Sequence, residues 1–127
     1  MPRPKKFPDE LVERGIRLAL ESERPIAHIA ADLGMHPETL RKRVRQHEAD
    51  SGMRPDLPTT QERIGMHALH EHAGLVVEPS AALGIAAVLE QPGRFAGRRV
   101  TTILCGSNVV PADFARWVME PAVRAAR

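Results

Sequence analysis

The chain has 127 residues and a mass of 14.0 kDa, enough for one ordinary domain or two very small ones. Hydrophobic residues make up 43% of it, yet no apolar run approaches the roughly 18 residues that a transmembrane helix needs. We therefore expect a soluble protein without a membrane partner. The basic N-terminus lacks a secretory signal, and the single cysteine, Cys105, excludes an internal disulfide, so the expected location is cytoplasmic.

Positive charge is concentrated in two short stretches, although the formal net charge is only +2. The stretches contain Arg3, Lys5 and Lys6 at the N-terminus, and Arg41, Lys42, Arg43 and Arg45 farther along. Clustered Lys and Arg side chains are the usual contacts for DNA phosphates. A bare charge run is more often a solvated helix face, so this interpretation depends on the helices around it.

Two helices are predicted before residue 35. Asp9 can cap the first, which extends to about Ser22 with apolar residues at helical spacing. The second follows the break at Pro25 and ends at Gly34, because glycine readily takes the left-handed conformation that terminates helices. Its apolar positions recur at intervals of three and four residues, namely Ile26, Ile29, Ala30 and Leu33.

A third helix is predicted from Pro37 to about Glu48, since proline suits the first helical position, where an N–H would lack a partner. Leu40 and Val44 lie one turn apart and should pack against the second helix. Two short helices joined by a tight glycine turn are typical of the helix-turn-helix, whose second helix enters the DNA major groove. The sequence therefore predicts a mainly α, three-helix, homeodomain-like domain over residues 1–48.

The leading end of the third helix carries the residues expected to read DNA. Arginine pairs with guanine through two hydrogen bonds and threonine reaches a base or a thymine methyl, so Arg41 and Thr39 are expected to contact bases. Arg45 lies farther along the helix and is expected to contact phosphate. The full set of predicted DNA-binding residues is Lys5, Lys6, Pro37, Glu38, Thr39, Arg41, Lys42 and Arg45.

Three segments of the first half carry a family resemblance: KFPDELVERGIRLALES, PIAHIAADLGMHPETLRKRVRQ and DSGMRPDLPTTQER. They resemble the OrfA-type helix-turn-helix proteins of insertion-sequence transposases. The resemblance implies recognition of the terminal inverted repeats of a mobile element during DNA transposition, while catalysis belongs to a separate, larger domain. Many members dimerise through a leucine-zipper helix, but no heptad repeat follows Arg63, which leaves the oligomeric state open. Arg43 stands where the family usually has a tryptophan packed against the core.

The character of the sequence changes near residue 63. Residues 49–65 combine Gly and Pro with Asp, Ser and Thr, which is typical of a linker. Apolar runs in residues 66–127 then predict a strand at 75–78, a helix at 79–91, a strand at 99–106 and a helix at 111–120. This order indicates a small, incomplete α/β (β-α-β-α) fragment, whose strands would need more neighbours than the chain supplies.

Three segments of the second half, HEHAGLVVEPSAALGIAAVLE, RFAGRRVTTILCGSNV and PADFARWV, resemble the C-terminal end of pyridoxal-phosphate enzymes of the threonine dehydratase and serine racemase type. The resemblance implies that Cys105 lies beside the pyridine nitrogen of the cofactor and Glu78 near the same ring, while Gly106 and Asn108 shape the adjoining loop. All lysines of the chain precede residue 43, so this half has no Schiff-base lysine. We therefore expect no cofactor and no catalytic residue.

The leading hypothesis is a non-enzymatic gene fusion that binds double-stranded DNA sequence-specifically and carries a truncated, non-functional enzyme tail. The alternative is a C-terminal remnant of a pyridoxal-phosphate-dependent threonine or serine dehydratase, which a separate chain would have to complete. A third possibility is an inert product that aggregates through exposed apolar strands.

For two further features we favour a structural explanation over a functional one. His67, His70 and His72 with Glu71 could suggest metal ligands, but an exposed helix explains them without a metal. Cys105 could suggest a nucleophile, but a thiol that ends an apolar strand is more often a buried small hydrophobic residue.

Overall fold

The computed structural model describes residues 6–125, and within this range it contains eight α-helices, one 3₁₀ turn and no β-strand. The chain divides into two compact units, Met1–Leu57 and Pro58–Arg127, called here the N-terminal unit and the C-terminal unit. The N-terminal unit contains α1 (Asp9–Glu21), α2 (Ile26–Asp32) and α3 (Pro37–Asp50). The C-terminal unit contains α4 (Thr60–Ala73), the 3₁₀ turn Pro79–Ala82, α5 (Leu83–Glu90), α6 (Pro92–Phe95), α7 (Pro111–Val118) and α8 (Pro121–Ala125).

The three predicted helices of the N-terminal unit are confirmed, with ends that differ by at most two residues. The predicted cap is wrong, because Asp9 is the first residue of α1 and the N-cap is Pro8, without a side-chain hydrogen bond. Both α1 and α2 pack against α3, whose side chains Leu40 and Val44 lie in the core as predicted. The buried side chains of this core are Ile29, Ala30, Met35, Leu40 and Val44. They are all apolar, so burial of apolar surface is the main source of stability in this unit.

A close helix contact fixes the position of α1. A Cβ atom added to Gly15 would lie 2.9 Å from Cδ1 of Leu40 and 3.1 Å from Cδ1 of Leu33, both closer than ordinary packing allows. Glycine at this position therefore lets α1 approach the other two helices closely. The turn between α2 and α3 also requires glycine, because Gly34 has a φ of 66°, in the left-handed region.

The helix-free segment between α3 and α4 is residues 51–59, which is shorter than the predicted linker 49–65. In this segment Arg54 donates to both carboxylate oxygens of Asp56, at 2.8 and 2.7 Å, and these hydrogen bonds lower the pKa of the Asp56 carboxyl. The segment ends at a capping box. The Thr59 hydroxyl accepts from the Glu62 N–H at 3.2 Å, and the Glu62 carboxylate accepts from the Thr59 N–H at 2.8 Å.

The C-terminal unit is assembled around α4. The 3₁₀ turn, α5, α7 and α8 each contact this helix. One core of buried apolar side chains combines α4, the 3₁₀ turn and α7 with Val77. These side chains are Met66, Leu69, Val77, Ala81, Ala82, Phe114 and Val118. The contact with the 3₁₀ turn is close, because a Cβ atom on Gly65 would lie 2.8 Å from the backbone oxygen of Ala82.

A largely buried ion pair joins α4 to Glu120, which lies between α7 and α8. The Arg63 guanidinium donates to the backbone carbonyl of Trp117 at 3.2 and 3.3 Å and pairs with the Glu120 carboxylate. Only 7% of the Arg63 side chain and 15% of the Glu120 side chain are exposed. Buried charges of this kind are tolerated only when they are paired and hydrogen-bonded, as they are here.

The predicted β-α-β-α fragment is wrong, because neither predicted strand forms within residues 6–125. Residues 75–78 and 99–106 share a single backbone hydrogen bond, from the Glu78 N–H to the Gly106 carbonyl at 3.1 Å. A strand needs a ladder of such bonds, and an apolar run alone does not supply one. Residues 99–106 leave apolar side chains in solvent, and Ile103 is 81% exposed. The predicted helices at 79–91 and 111–120 are present as the 3₁₀ turn followed by α5, and as α7.

Among the helices formed by residues 6–125, none combines the length and the hydropathy that crossing a membrane requires.

Candidate nucleic-acid interface

The start of α3 is held in place by its own first residues. Pro37 occupies the first helical turn, and the Nδ1 atom of His36 accepts a hydrogen bond from the Glu38 N–H at 3.2 Å. This bond satisfies one of the N–H groups that a helix leaves without a partner at its N-terminus. The left-handed Gly34 turn and this cap together define where the leading end of α3 lies.

One side of α3 faces the core and the opposite side faces solvent. Leu40 has no exposed surface, which anchors the inner side. On the outer side, residues 38, 41, 42 and 45 are charged, and each is three or four positions from two of the others, so that they share one helix face. This face, called here the basic face of α3, consists of Glu38, Arg41, Lys42 and Arg45.

The charges of the basic face differ in their surroundings. Arg41 forms an ion pair with Glu38, one helical turn earlier, and their side chains are 38% and 59% exposed. Arg45 is exposed and makes no ion pair with any other residue in the part of the chain that the structure describes. The face therefore presents three cations and one carboxylate, with the carboxylate at the leading end.

The other predicted DNA-binding residues lie beside this face. Thr39 and Lys6 both line a hollow of about 290 Å³, which Phe7, Val12 and Arg43 also border. The Lys6 ammonium lies 5.5 Å from the centre of the Phe7 ring, a cation–π contact that places its charge close to α3. Lys5, which was predicted together with Lys6, lies outside the described residues.

The residues with a predicted cofactor role are brought together only in part. The Glu78 carboxylate lies directly against Gly106, whose φ is 97°, and accepts a hydrogen bond from the Ser80 hydroxyl at 3.0 Å. Cys105 and Asn108, by contrast, are exposed. The expectation that Cys105 is buried is therefore wrong, because the segment that carries it does not enter a sheet.

This arrangement does not fit a pyridoxal-phosphate group. The Glu78 carboxylate fills the space beside Gly106, where even a Cβ atom would not fit, and residues 58–127 contain no lysine for a Schiff base.

The histidines of α4 make protein contacts of their own. Nε2 of His67 lies 3.4 Å from Oε2 of Glu71, while His70 packs its ring edge-on against Phe114 with 5.3 Å between ring centres. Within residues 6–125, no three side chains of the metal-ligating types lie together in a geometry that could hold an ion.

Comparison with known proteins identifies a family for the N-terminal part of the chain. A helix-turn-helix family model described as "Transposase" matches residues 1–67. An uncharacterized 12 kDa protein of insertion element IS629 from Shigella flexneri is 43% identical over 65 residues, which cover 46% of this chain and 60% of that protein. Its counterpart from Shigella sonnei gives the same values. The chain therefore spans about 60% of the length of these relatives.

A second similarity involves a different protein. A beta-hydroxyaspartate dehydratase from Paracoccus denitrificans is 43% identical over 44 residues, which cover 35% of this chain but only 14% of the enzyme. No solved structure matches the chain. Since the family model covers more than half of the residues and contains all three helices of the N-terminal unit, the chain belongs to the helix-turn-helix transposase family.

Proposed function

We propose that the N-terminal unit binds double-stranded DNA sequence-specifically and that α3 lies in the major groove, as in OrfA-type transposase proteins. The observation that carries this proposal is the basic face of α3, which is turned away from the core and contains Arg41, Lys42 and Arg45. The major groove is wide enough to admit an α-helix. A helix fixed by two others presents its side chains to the bases at a small cost in entropy.

The surroundings of each cation suggest its role. Arg41 lies near the leading end of α3 and is held by Glu38, which suits a base contact in which the direction of the guanidinium matters. Arg45 is one turn farther along and exposed, which suits a phosphate contact. Lys6 and Thr39 lie on the α1 side of α3, where Lys6, with the neighbouring Lys5, would contact the DNA backbone and Thr39 the edge of the groove.

The comparisons support a role at the ends of a mobile element. The relatives from both Shigella species are proteins of insertion element IS629, and the resemblance to OrfA-type proteins implies the terminal inverted repeats of such an element as the target. We propose that this chain recognises a site of this kind during DNA transposition without catalysing the reaction itself.

The proposal is tested by DNA binding of the full chain. Duplexes selected from a random pool should bind more tightly than unselected ones, and affinity should fall steeply as salt rises from about 50 to 200 mM. Arg45→Gln should weaken binding to every duplex and reduce the salt slope by about one, whereas Arg41→Gln should reduce the preference for the selected site. Arg98→Gln, which changes an exposed arginine of the C-terminal unit, is the matched control. Absence of salt-dependent binding would contradict the proposal.

We also propose that the C-terminal unit derives from a dehydratase-like gene and has no catalytic role. The 44-residue similarity to the beta-hydroxyaspartate dehydratase supports the origin. The absence of lysine from this half of the sequence opposes retained cofactor chemistry. The rival idea, a remnant that still holds pyridoxal phosphate, predicts visible absorbance after the full chain is mixed with the cofactor and dialysed, and we expect none.

A further inference from the structure

Glu38 is the acidic member of the basic face of α3. A carboxylate on a DNA-facing surface repels phosphate, so it opposes the attraction that Arg41, Lys42 and Arg45 provide. Glu38 lies in the first turn of the helix, and 59% of its side chain is exposed. In helix-turn-helix complexes the N-terminal residues of this helix are the ones that contact base edges. The position of Glu38 therefore suits a base contact and not a phosphate contact.

Glu38 and Arg41 form one preassembled unit. Their side chains are paired across one turn of α3, and the backbone N–H of Glu38 is fixed by the Nδ1 atom of His36. An exposed ion pair of this kind adds little to folding stability. Its larger effect is on direction, because the carboxylate limits the positions that the Arg41 guanidinium can take before DNA arrives.

The chemistry of the pair matches one kind of base pair. In the major groove cytosine presents the N4 amino group as a donor, while guanine presents N7 and O6 as acceptors. A carboxylate accepts from the first and a guanidinium donates to the second. Side chains three positions apart on a helix have Cβ atoms about 5–6 Å apart, and successive bases are about 3.4 Å apart along the helix axis, so the two side chains can reach neighbouring base pairs.

We propose, on the basis of the proposed DNA-binding function, that Glu38 and Arg41 together read two adjacent G·C base pairs. Glu38 accepts a hydrogen bond from a cytosine N4 amino group, and Arg41 donates to O6 and N7 of a guanine in the neighbouring pair. Glu38 thus determines specificity and lowers affinity for DNA in general.

The test compares the base preferences of the full chain and of the Glu38→Gln variant, both measured by selection from a random duplex pool. The unchanged protein should prefer cytosine at one position by about tenfold or more. Glutamine pairs with N6 and N7 of adenine, so Glu38→Gln should change the preference at that same position from cytosine to adenine. Glu38→Ala should lose the cytosine preference without gaining one for adenine.

The matched control is Glu10→Gln, which removes an exposed carboxylate from the first turn of α1 and changes the net charge equally. It should leave every base preference unchanged. If Glu38→Gln tightens binding to all duplexes without altering base preference at any position, Glu38 acts only through charge, and the inference is overturned. If the unchanged protein shows no salt-dependent binding, the proposed function fails as well, and this result is distinct from the first.

Discussion

The two units of this chain are stabilised in different ways. In the part of the chain that the structure describes, the N-terminal unit buries only apolar side chains between three helices, whereas the C-terminal unit buries Arg63 as well and pairs it with Glu120. The family match ends at residue 67, which lies inside α4, the helix around which the C-terminal unit is assembled. The segment that matches a family therefore does not end where a folding unit ends. Residues 58–67 match the family, but their side chains pack within the C-terminal unit.

The largest expected loss of stability is in the C-terminal unit. Arg63→Ala removes the charge that the Glu120 carboxylate and the Trp117 carbonyl both use, and loss of one partner of a buried pair costs about 3–5 kcal/mol. The unfolding transition of the C-terminal unit should move to much lower denaturant concentration. The intrinsic fluorescence of Trp117, the single tryptophan, follows this transition.

A second variant separates the buried charge from the loss of packing. Arg63→Met combined with Glu120→Leu replaces both members of the pair by apolar side chains of similar volume and should recover most of the lost stability. A double variant as unstable as Arg63→Ala would show that the stabilisation does not come from matching the two charges.

The next largest effect is expected in the N-terminal unit. Leu40→Ala opens a cavity in a fully buried position and should cost about 2–5 kcal/mol, which would abolish DNA binding. Circular dichroism should show loss of helix while the Trp117 fluorescence transition stays where it was. A parallel shift of the fluorescence transition would show that the two units do not unfold separately. It would contradict the view that each unit is stabilised by its own contacts.

A smaller change, a gain in the stability of the N-terminal unit, is expected from filling the hollow beside α3. Arg43 borders the hollow of about 290 Å³ that Phe7 and Val12 also line. Arg43→Trp would place an aromatic ring against these apolar side chains, and filling such a space typically adds about 0.5–2 kcal/mol. Thermal unfolding followed by circular dichroism should show a higher midpoint for the N-terminal unit. A midpoint that stays unchanged would mean that the ring remains in solvent.

The helices of the N-terminal unit could be predicted from sequence because their signals are local. The spacing of Ile29, Leu40 and Val44, the left-handed Gly34 and the proline at the first position of α3 all act within a few residues. The basic face could be predicted for the same reason. The ion pair between Glu38 and Arg41 was not predicted, although residues three apart on a helix are neighbours.

The C-terminal unit was harder to predict because its structure depends on distant contacts. Residues 75–78 and 99–106 have the composition of strands, but composition cannot reveal whether a partner strand is present. The contact between Arg63 and Glu120 joins residues far apart in sequence, and no local pattern indicates it. The start of α4 was available from sequence, because Thr59 and Glu62 have the spacing of a capping box, which the linker prediction overlooked.

Because α4 continues past residue 67, where the family match ends, that residue is a poor place to divide the chain. A protein cut at the end of the family match would keep Arg63 and Met66 but lose the residues that cover them, and would expose a charge and an apolar side chain together. Such a fragment would be prone to self-association for reasons unrelated to the intact molecule. A cut between Leu57 and Pro58 falls at the boundary of the two units and keeps the capping box with α4, so the chain is best divided there.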